Sequence, residues 1–237
     1  MIFRPLWKFT AAMLPLFLGC VALGAWQMER LQWKLALIAQ VNRNLKAPPI
    51  TVDSAMQMDS QAAQYRRVTL RGRFDSAREA YVFGTDAGGA LVYHVITPFT
   101  LNDGRVFLVD RGIVPERLRD PRTRSAGQPD GEQRISGVWR VPDPPGWFTP
   151  APNVGKRVWY ARDVRGIAKA DGLHLAAPIV IEADGAPNPG GWPRGGQTVV
   201  TFRNDHLQYA ITWFALAVAA VAVYVVWRRQ TAMPHRG

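Results

Sequence analysis

The chain has one cysteine and four histidines in 237 residues. A lone thiol, Cys20, excludes a disulfide framework, a CxxC redox pair and CxxCH attachment of a c-type haem. A copper carrier built on paired thiolates is excluded with them. His94, His174, His206 and His235 stand in no HExxH or other metal-ligand spacing. Glycine patterns of the GxGxxG or Walker type are absent, and so is any internal repeat. Basic residues are plentiful, yet none form a run with interleaved aromatics, so nucleic acid is not an expected partner. Without a nucleophile and base, a metal cluster or a phosphate cradle, the sequence offers no catalytic constellation.

Charge is missing from two stretches. "FTAAMLPLFLGCVALGAWQM", Phe9 to Met28, and Leu207 to Trp227 each lack it entirely. About 20 residues at 1.5 Å rise match a hydrocarbon core roughly 30 Å thick. The second stretch contains nine Leu, Ile, Phe and Val residues, each worth roughly −0.3 to −0.6 kcal/mol near a helix centre. Tyr209, Trp213, Tyr224 and Trp227 place amphipathic rings toward both of its ends, as an interfacial belt does. Ahead of the first stretch, Arg4 and Lys8 also fit a signal peptide, and "FLGC" loosely resembles a lipoprotein processing site. The chain stays apolar past Cys20, however, and the run exceeds a signal core of about 7–15 residues. An uncleaved anchor is expected, with Pro15 tolerated as such breaks are in membrane helices.

Arg4 and Lys8 before the first span, and Arg228, Arg229 and Arg236 after the second, place both tails in the cytoplasm. Arg30 and Lys34 argue mildly the other way, but long loops cross largely regardless of charge. The segment between the tails holds the remaining 24 basic and all 18 acidic residues, a surplus of +6. That surplus favours anionic lipid or acidic partners.

The fold class expected is a membrane protein with two transmembrane α-helices, N- and C-terminal, flanking one mainly-β (α+β) exported domain. Its divisions are a tail over 1–8, a span over 9–28, the domain over 29–206, a span over 207–227 and a tail over 228–237. Leu31, Leu35, Ile38, Asn42 and Leu45 extend the first helix until Pro48 and Pro49 stop it. A weaker helical stretch covers Asp53 to Gln64. The period then becomes two. "RRVTLRGRF", "ALVYHVITPFTL", "RVFLVDRG", "QRISGVWRV" and "APIVIEA" read as strands, with "NDG" at Asn102–Gly104 a hairpin turn. Arg117–Glu132, Pro142–Pro152 and Asp184–Gln197 read as connections, the last expected near the membrane. Cys20 with Gly24, and Ala215 with Ala219, are small pairs that let two spans approach.

Asp103, Asp110 and Asp163 fall at turns or strand ends and take structural roles there. His94, alternating within a strand, is expected to be packed or half-exposed rather than a ligand. His206 differs because it precedes the second span. On a helix it shares a face with Tyr209, Ala210 and Trp213. A neutral imidazole there, beside aromatic rings and a small residue, suits an axial haem ligand. A polar helix-start residue paired with Asp205 is the commoner use of such a position, and the residues alone leave both open.

Several stretches together resemble the surfeit locus protein 1 family. "LGAWQMERLQWKLALI" is similar to its Gly-x-Trp-Gln-x-x-Arg signature, and "YRRVTLRGRF" to its Gly-x-Phe strand. "HVITPFTLNDGRVFLVDRGIVP" follows its Thr-Pro, Asp-Gly and Arg-Gly-x-x-Pro series. "VWYARDVRGIA", "NPGGWP" and "NDHLQYAITWFALA" come in the family's order. Two departures stand out: Ile113 where the family often has Trp, and Asp205 where it often has a second Asn.

The resemblance implies an assembly factor for haem-copper cytochrome c oxidase, not an enzyme, acting on oxidase subunit I and linked to supplying haem a. It places the haem ligand at His206, with Tyr209 and Trp213 on the same helix. Trp26, Gln27 and Arg30 match the first-helix motif, either lining that pocket or docking the oxidase subunit. Arg111 and Gly112 follow as partner-binding residues, the arginine meeting a propionate or a partner carboxylate. Enzymes of haem a synthesis and membrane lipid are further partners. A scaffold that steadies a partly built subunit without touching haem is the alternative, and a membrane-tethered exported enzyme is a third. The expected location is a bacterial inner membrane, multi-pass, with a periplasmic central domain, since no Arg-rich presequence fits ahead of the first span.

Overall fold

A computed structural model describes residues 6–86, 88–198, 202 and 204–232. Arg4, Arg203, Arg236 and His235 lie outside the described residues. The chain divides into two compact units, Met1–Gln40 with Thr201–Gly237, and Val41–Val200.

The first unit is built from two helices, α1 (Leu6–Lys46), which continues past the unit boundary, and α5 (His206–Ala232). Both are long and apolar enough to cross a membrane, and little of either apolar stretch is buried within the molecule. A core helix of a soluble protein would be covered, so these are candidate membrane spans. α1 runs unbroken through Pro15 and ends just before Pro48 and Pro49, as its amphipathic extension predicts. The inward residues of α1 recur at steps of three and four, through Met13, Phe17, Cys20, Gly24 and Gln27. On α5 the matching series is Ala210, Trp213, Ala217, Ala220, Tyr224 and Trp227. This is a coiled-coil seam with small residues at the closest points. Ala215 and Ala219, expected to pack, are exposed instead. They sit at steps of two from the seam residue Ala217, which turns them to the helix's outer side. Ala210, Ala217 and Ala220 take their place.

The second unit is mainly β. Its strands are β1 (Ile50–Thr51), β2 (Arg67–Phe74), β3 (Ala80–Thr85), β4 (Leu91–Leu101), β5 (Val106–Pro115), β6 (Gln133–Arg140), β7 (Val158–Trp159) and β8 (Leu175–Ala183). Sheet order is β1-β2-β6-β8-β5-β4-β3-β7, and a further β2–β4 pairing closes β2, β6, β8, β5 and β4 into a barrel. Closure joins Gly72, Arg73 and Phe74 to Leu101, Thr100 and Phe99. The Asn102–Gly104 turn links β4 and β5 as expected, with Leu101 and Arg105 bonded across it. The stretch Asp53–Gln64 forms two short helices, α2 (Val52–Met56) and α3 (Ser60–Ala63), because Asp59 caps a new start between them.

Alternation along β5 and β8 divides the core. Phe107, Val109, Ile179 and Ile181 face Val68, Leu70, Phe99 and Trp139. Leu108 and Val180 face the other way, against Trp159, Val164 and Ile167. The last two belong to α4 (Val164–Asp171), which begins at an Asp163 cap and ends at Gly172. Strands β5 and β8 pair in parallel and are buried on both faces, the usual setting for parallel strands. Leu108 is fully buried. Leu108→Ala is therefore expected to destabilise the barrel by about 2–5 kcal/mol, read as a lower near-ultraviolet melting temperature of the full chain in detergent.

Candidate functional site

His206 is the first residue of α5, and its imidazole meets α1. Its Nδ1 lies 2.8 Å from Oε1 of Gln27. Gln27 is 9% exposed, so water competes poorly for this bond. An amide oxygen only accepts, so this contact is a hydrogen bond in the tautomer that carries its proton on Nδ1. The other ring nitrogen, Nε2, then presents a lone pair.

Three residues earlier on α1 the two helices also approach closely. A Cβ on Gly24 would stand 2.7 Å from the ring of Phe214, so the absence of one lets that ring settle against the α1 backbone. At the far end of the seam, Thr10 Oγ1 and Tyr224 Oη are 3.1 Å apart, and the rings of Phe9 and Trp227 are 4.1 Å apart.

Of the six residues expected around a cofactor, the structure joins two directly, His206 and Gln27. Trp213 lies on the seam two turns into α5, partly buried. Tyr209 and Trp26 turn outward, 52% and 49% exposed, and offer bare aromatic faces. Arg30 is exposed, and its guanidinium lies 4.9 Å from the ring centroid of Trp33, a residue the sequence reading did not single out. Lys34 caps the ring of Phe202 at 4.9 Å. Asn204 Oδ1, two residues before His206, is buried with no hydrogen-bond partner among the described residues.

Arg111 and Gly112 belong to the barrel unit. Arg111 is 2% exposed. Its Nη1 donates to Glu79 Oε1 at 3.3 Å and to Gln128 Oε1 at 3.1 Å, and its Nη2 donates to the Gly127 carbonyl oxygen. The carboxylate it meets is thus Glu79 of its own chain. Glu79 also accepts from both terminal nitrogens of Arg124, from the Gln128 amide at 3.0 Å and from the Tyr81 hydroxyl at 3.1 Å. Burial pulls the Arg111 guanidinium down to about 10, with Glu79 opposing and Arg124 reinforcing the shift. It stays charged at neutral pH. Burial, with Glu79 close by, pushes the Tyr81 hydroxyl up. Gly112 has φ +106°, and a Cβ there would stand 1.9 Å from the Arg194 carbonyl oxygen. That close approach lets Ile113 and Arg194 exchange backbone hydrogen bonds at 3.0 Å, tying the "NPGGWP" loop to β5.

His94 is packed, as expected. Its Nδ1 is 2.9 Å from Asp110 Oδ2, and Arg162 reaches the same oxygen at 3.3 Å. Asp163 caps α4, and Asp103 pairs with Arg105.

The SURF1 family model matches residues 14–218. The chain belongs to that family. Surfeit locus protein 1 of Mus musculus is 39% identical over 215 residues, covering 83% of this chain and 68% of that protein. The protein of the same name in Homo sapiens is 36% identical over 217 residues, 83% of this chain and 70% of that one. A SURF1-like protein of Drosophila melanogaster is 34% identical over 226 residues, 88% and 72% respectively. The matched span contains Gln27, His206 and the whole barrel.

Two predictions follow from this geometry. Gly24→Leu is expected to force the seam apart, lowering the yield of a Thr10→Cys/Tyr224→Cys cross-link in a Cys20→Ser background. Gly19→Leu is the control, because nothing lies within 4 Å of its Cβ position. The second concerns Asp110. Burial raises its carboxyl, but His94, Arg162 and the Gly112 N–H outweigh burial and hold it below the ordinary 3.8. The folded state therefore gains stability above about pH 4 and loses it as pH falls through the lowered value. Asp110→Asn is expected to flatten the acid limb of a melting-temperature profile from pH 6 to about pH 2.

Proposed function

We propose that this protein is a non-enzymatic assembly factor for haem-copper cytochrome c oxidase. In this reading it binds haem a through His206 and aids its insertion into oxidase subunit I. Family membership supports the assembly role. The observation that carries the haem reading is the 2.8 Å bond between His206 Nδ1 and buried Gln27. A metal-bound histidine usually donates its other ring N–H to a fixed acceptor, which sets the tautomer and aims the ring. Gln27 Oε1 stands where such an acceptor is needed for His206.

The surrounding residues fit such a group. The neutral imidazole of His206 would hold the iron, and the group would supply a metal-centred redox couple. Trp26 and Tyr209 offer exposed aromatic surface for a flat apolar macrocycle. Arg30 provides an exposed guanidinium of the kind that pairs with carboxylates. Trp213 lines the seam below. Arg111 lies outside this set, its guanidinium already neutralised within the barrel unit.

The proposed location is a bacterial inner membrane, crossed by α1 and α5, with both tails cytoplasmic and the barrel periplasmic. Lys8 before the first apolar stretch and Arg228 and Arg229 after the second support that orientation. Partners in this reading are subunit I and the enzymes that make haem a.

The test is an optical spectrum of detergent-purified protein from cells that make haem a. A haem a spectrum in the wild type, lost in His206→Ala, is expected. A colourless wild type from the same cells overturns the haem reading and leaves a scaffold for the partly built subunit.

A further inference from the structure

We infer that Gln27 is a positioning residue that sets how firmly His206 holds a haem iron, by choosing which ring nitrogen carries the proton. The inference rests on the haem reading above. Gln27 does not need to touch the ligand to act this way. Its side chain points along the seam to His206 Nδ1, while Nε2 is the nitrogen left to bind a metal.

The choice of an amide at position 27 has a chemical consequence. A glutamine side chain carries an acceptor at one corner and a donor NH2 at the other. With the oxygen facing Nδ1, the Nε2 lone pair is available. A half-turn about the last side-chain bond puts the NH2 group against Nδ1 instead. Nδ1 must then accept, the proton sits on Nε2, and the ring can no longer donate to iron. The imidazole is neutral in both forms. One proton leaves Nδ1 for water and another reaches Nε2 from water, so no net charge moves. Holding and releasing are thus two orientations of one buried amide.

A carboxylate at this place would behave differently. It only accepts, so it would lock the Nδ1–H tautomer and push electron density toward Nε2, strengthening the bond to iron. An apolar side chain would leave the ring unaimed. Glutamine gives an aimed ring with a reversible hold, which suits a protein that hands its ligand on. Burial matters equally: at 9% exposure the amide has no easy alternative in solvent, so one of its two corners faces the ring.

The experiment uses the full chain in detergent, with Gln27→Glu and Gln27→Met as variants. Methionine keeps the length and apolar stem, which guards against simple misfolding. In haem-free, 15N-histidine-labelled protein, the imidazole nitrogen shifts of His206, assigned with His206→Ala, report the tautomer. The Nδ1–H form is expected to dominate in the wild type and in Gln27→Glu, and to lose that dominance in Gln27→Met. In haem-loaded protein, transfer of haem to apomyoglobin reads the strength of the hold. Loss about tenfold faster in Gln27→Met and about tenfold slower in Gln27→Glu is expected, the range seen for outer-shell partners of metal ligands. The Gln27→Glu midpoint potential should fall as well. If both variants lose haem within about twofold of the wild type, while His206→Ala binds none, Gln27 has no such role and the haem reading stands. A wild type that takes up no haem removes the reading beneath the inference, and its empty spectrum tells that failure from the first.

Discussion

The helix pair depends on a close approach at Gly24. The ring of Phe214 lies 2.7 Å from where a Cβ would stand, so a side chain at position 24 would push against α5. From Thr10 to Gln27 on α1 and from Tyr224 back to His206 on α5, the rise is nearly equal, about 26 Å at 1.5 Å per residue. Both ends of that length are marked by a polar pair, Thr10 with Tyr224 and Gln27 with His206. Between them the seam is apolar and small. Two hydrogen-bonding pairs separated by about the thickness of a hydrocarbon core are what a bilayer favours, since polar groups are cheapest at its edges.

The barrel unit follows a different logic, with a buried charge cluster beside its apolar core. One carboxylate, Glu79, gathers two guanidiniums, an amide and a phenol. Removing that carboxylate would leave Arg111 and Arg124 buried beside each other without a counter-charge, a far larger cost than the loss of a surface pair. The cluster also fastens residues 121–127, whose Gly127 oxygen binds Arg111 and which pack against the "NPGGWP" loop. Gly112 and Arg111 thus serve one purpose from adjacent positions: the arginine secures one connection through charge, and the glycine admits another through backbone approach.

The helices and the principal strands were legible because they repeat a period over many residues. Apolar runs without charge marked α1 and α5, and alternation marked β2, β4, β5, β6 and β8. The segment Ala80–Thr85 went unread as a strand, being six residues long and ending around Gly84. α4 carries a cap at each end, Asp163 and Gly172, but Gly166 inside it weakens its helical signal. Barrel closure was out of reach, since the β2–β4 pairing joins residues 25 to 29 apart that no local pattern relates. At the site, His206 and Gln27 could each be picked out, one by position and one by motif. Their pairing could not, because nothing in the order of residues tells which α1 side chain meets the start of α5. Glu79 gave no signal at all; its importance comes from the side chains that folding brings around it.

The partners Gln27 and His206 stand 179 positions apart in the chain. Every element of the barrel is synthesised between them, and β8, the strand that sits between β5 and β6, is the last of these. A nascent or prematurely ended chain can therefore carry a complete first helix and most of a barrel and still present only half of the pair. Only a chain translated through its final helix carries both members of the pair, so the contacts between the two helices are the last long-range hydrogen bonds of this unit that synthesis makes possible.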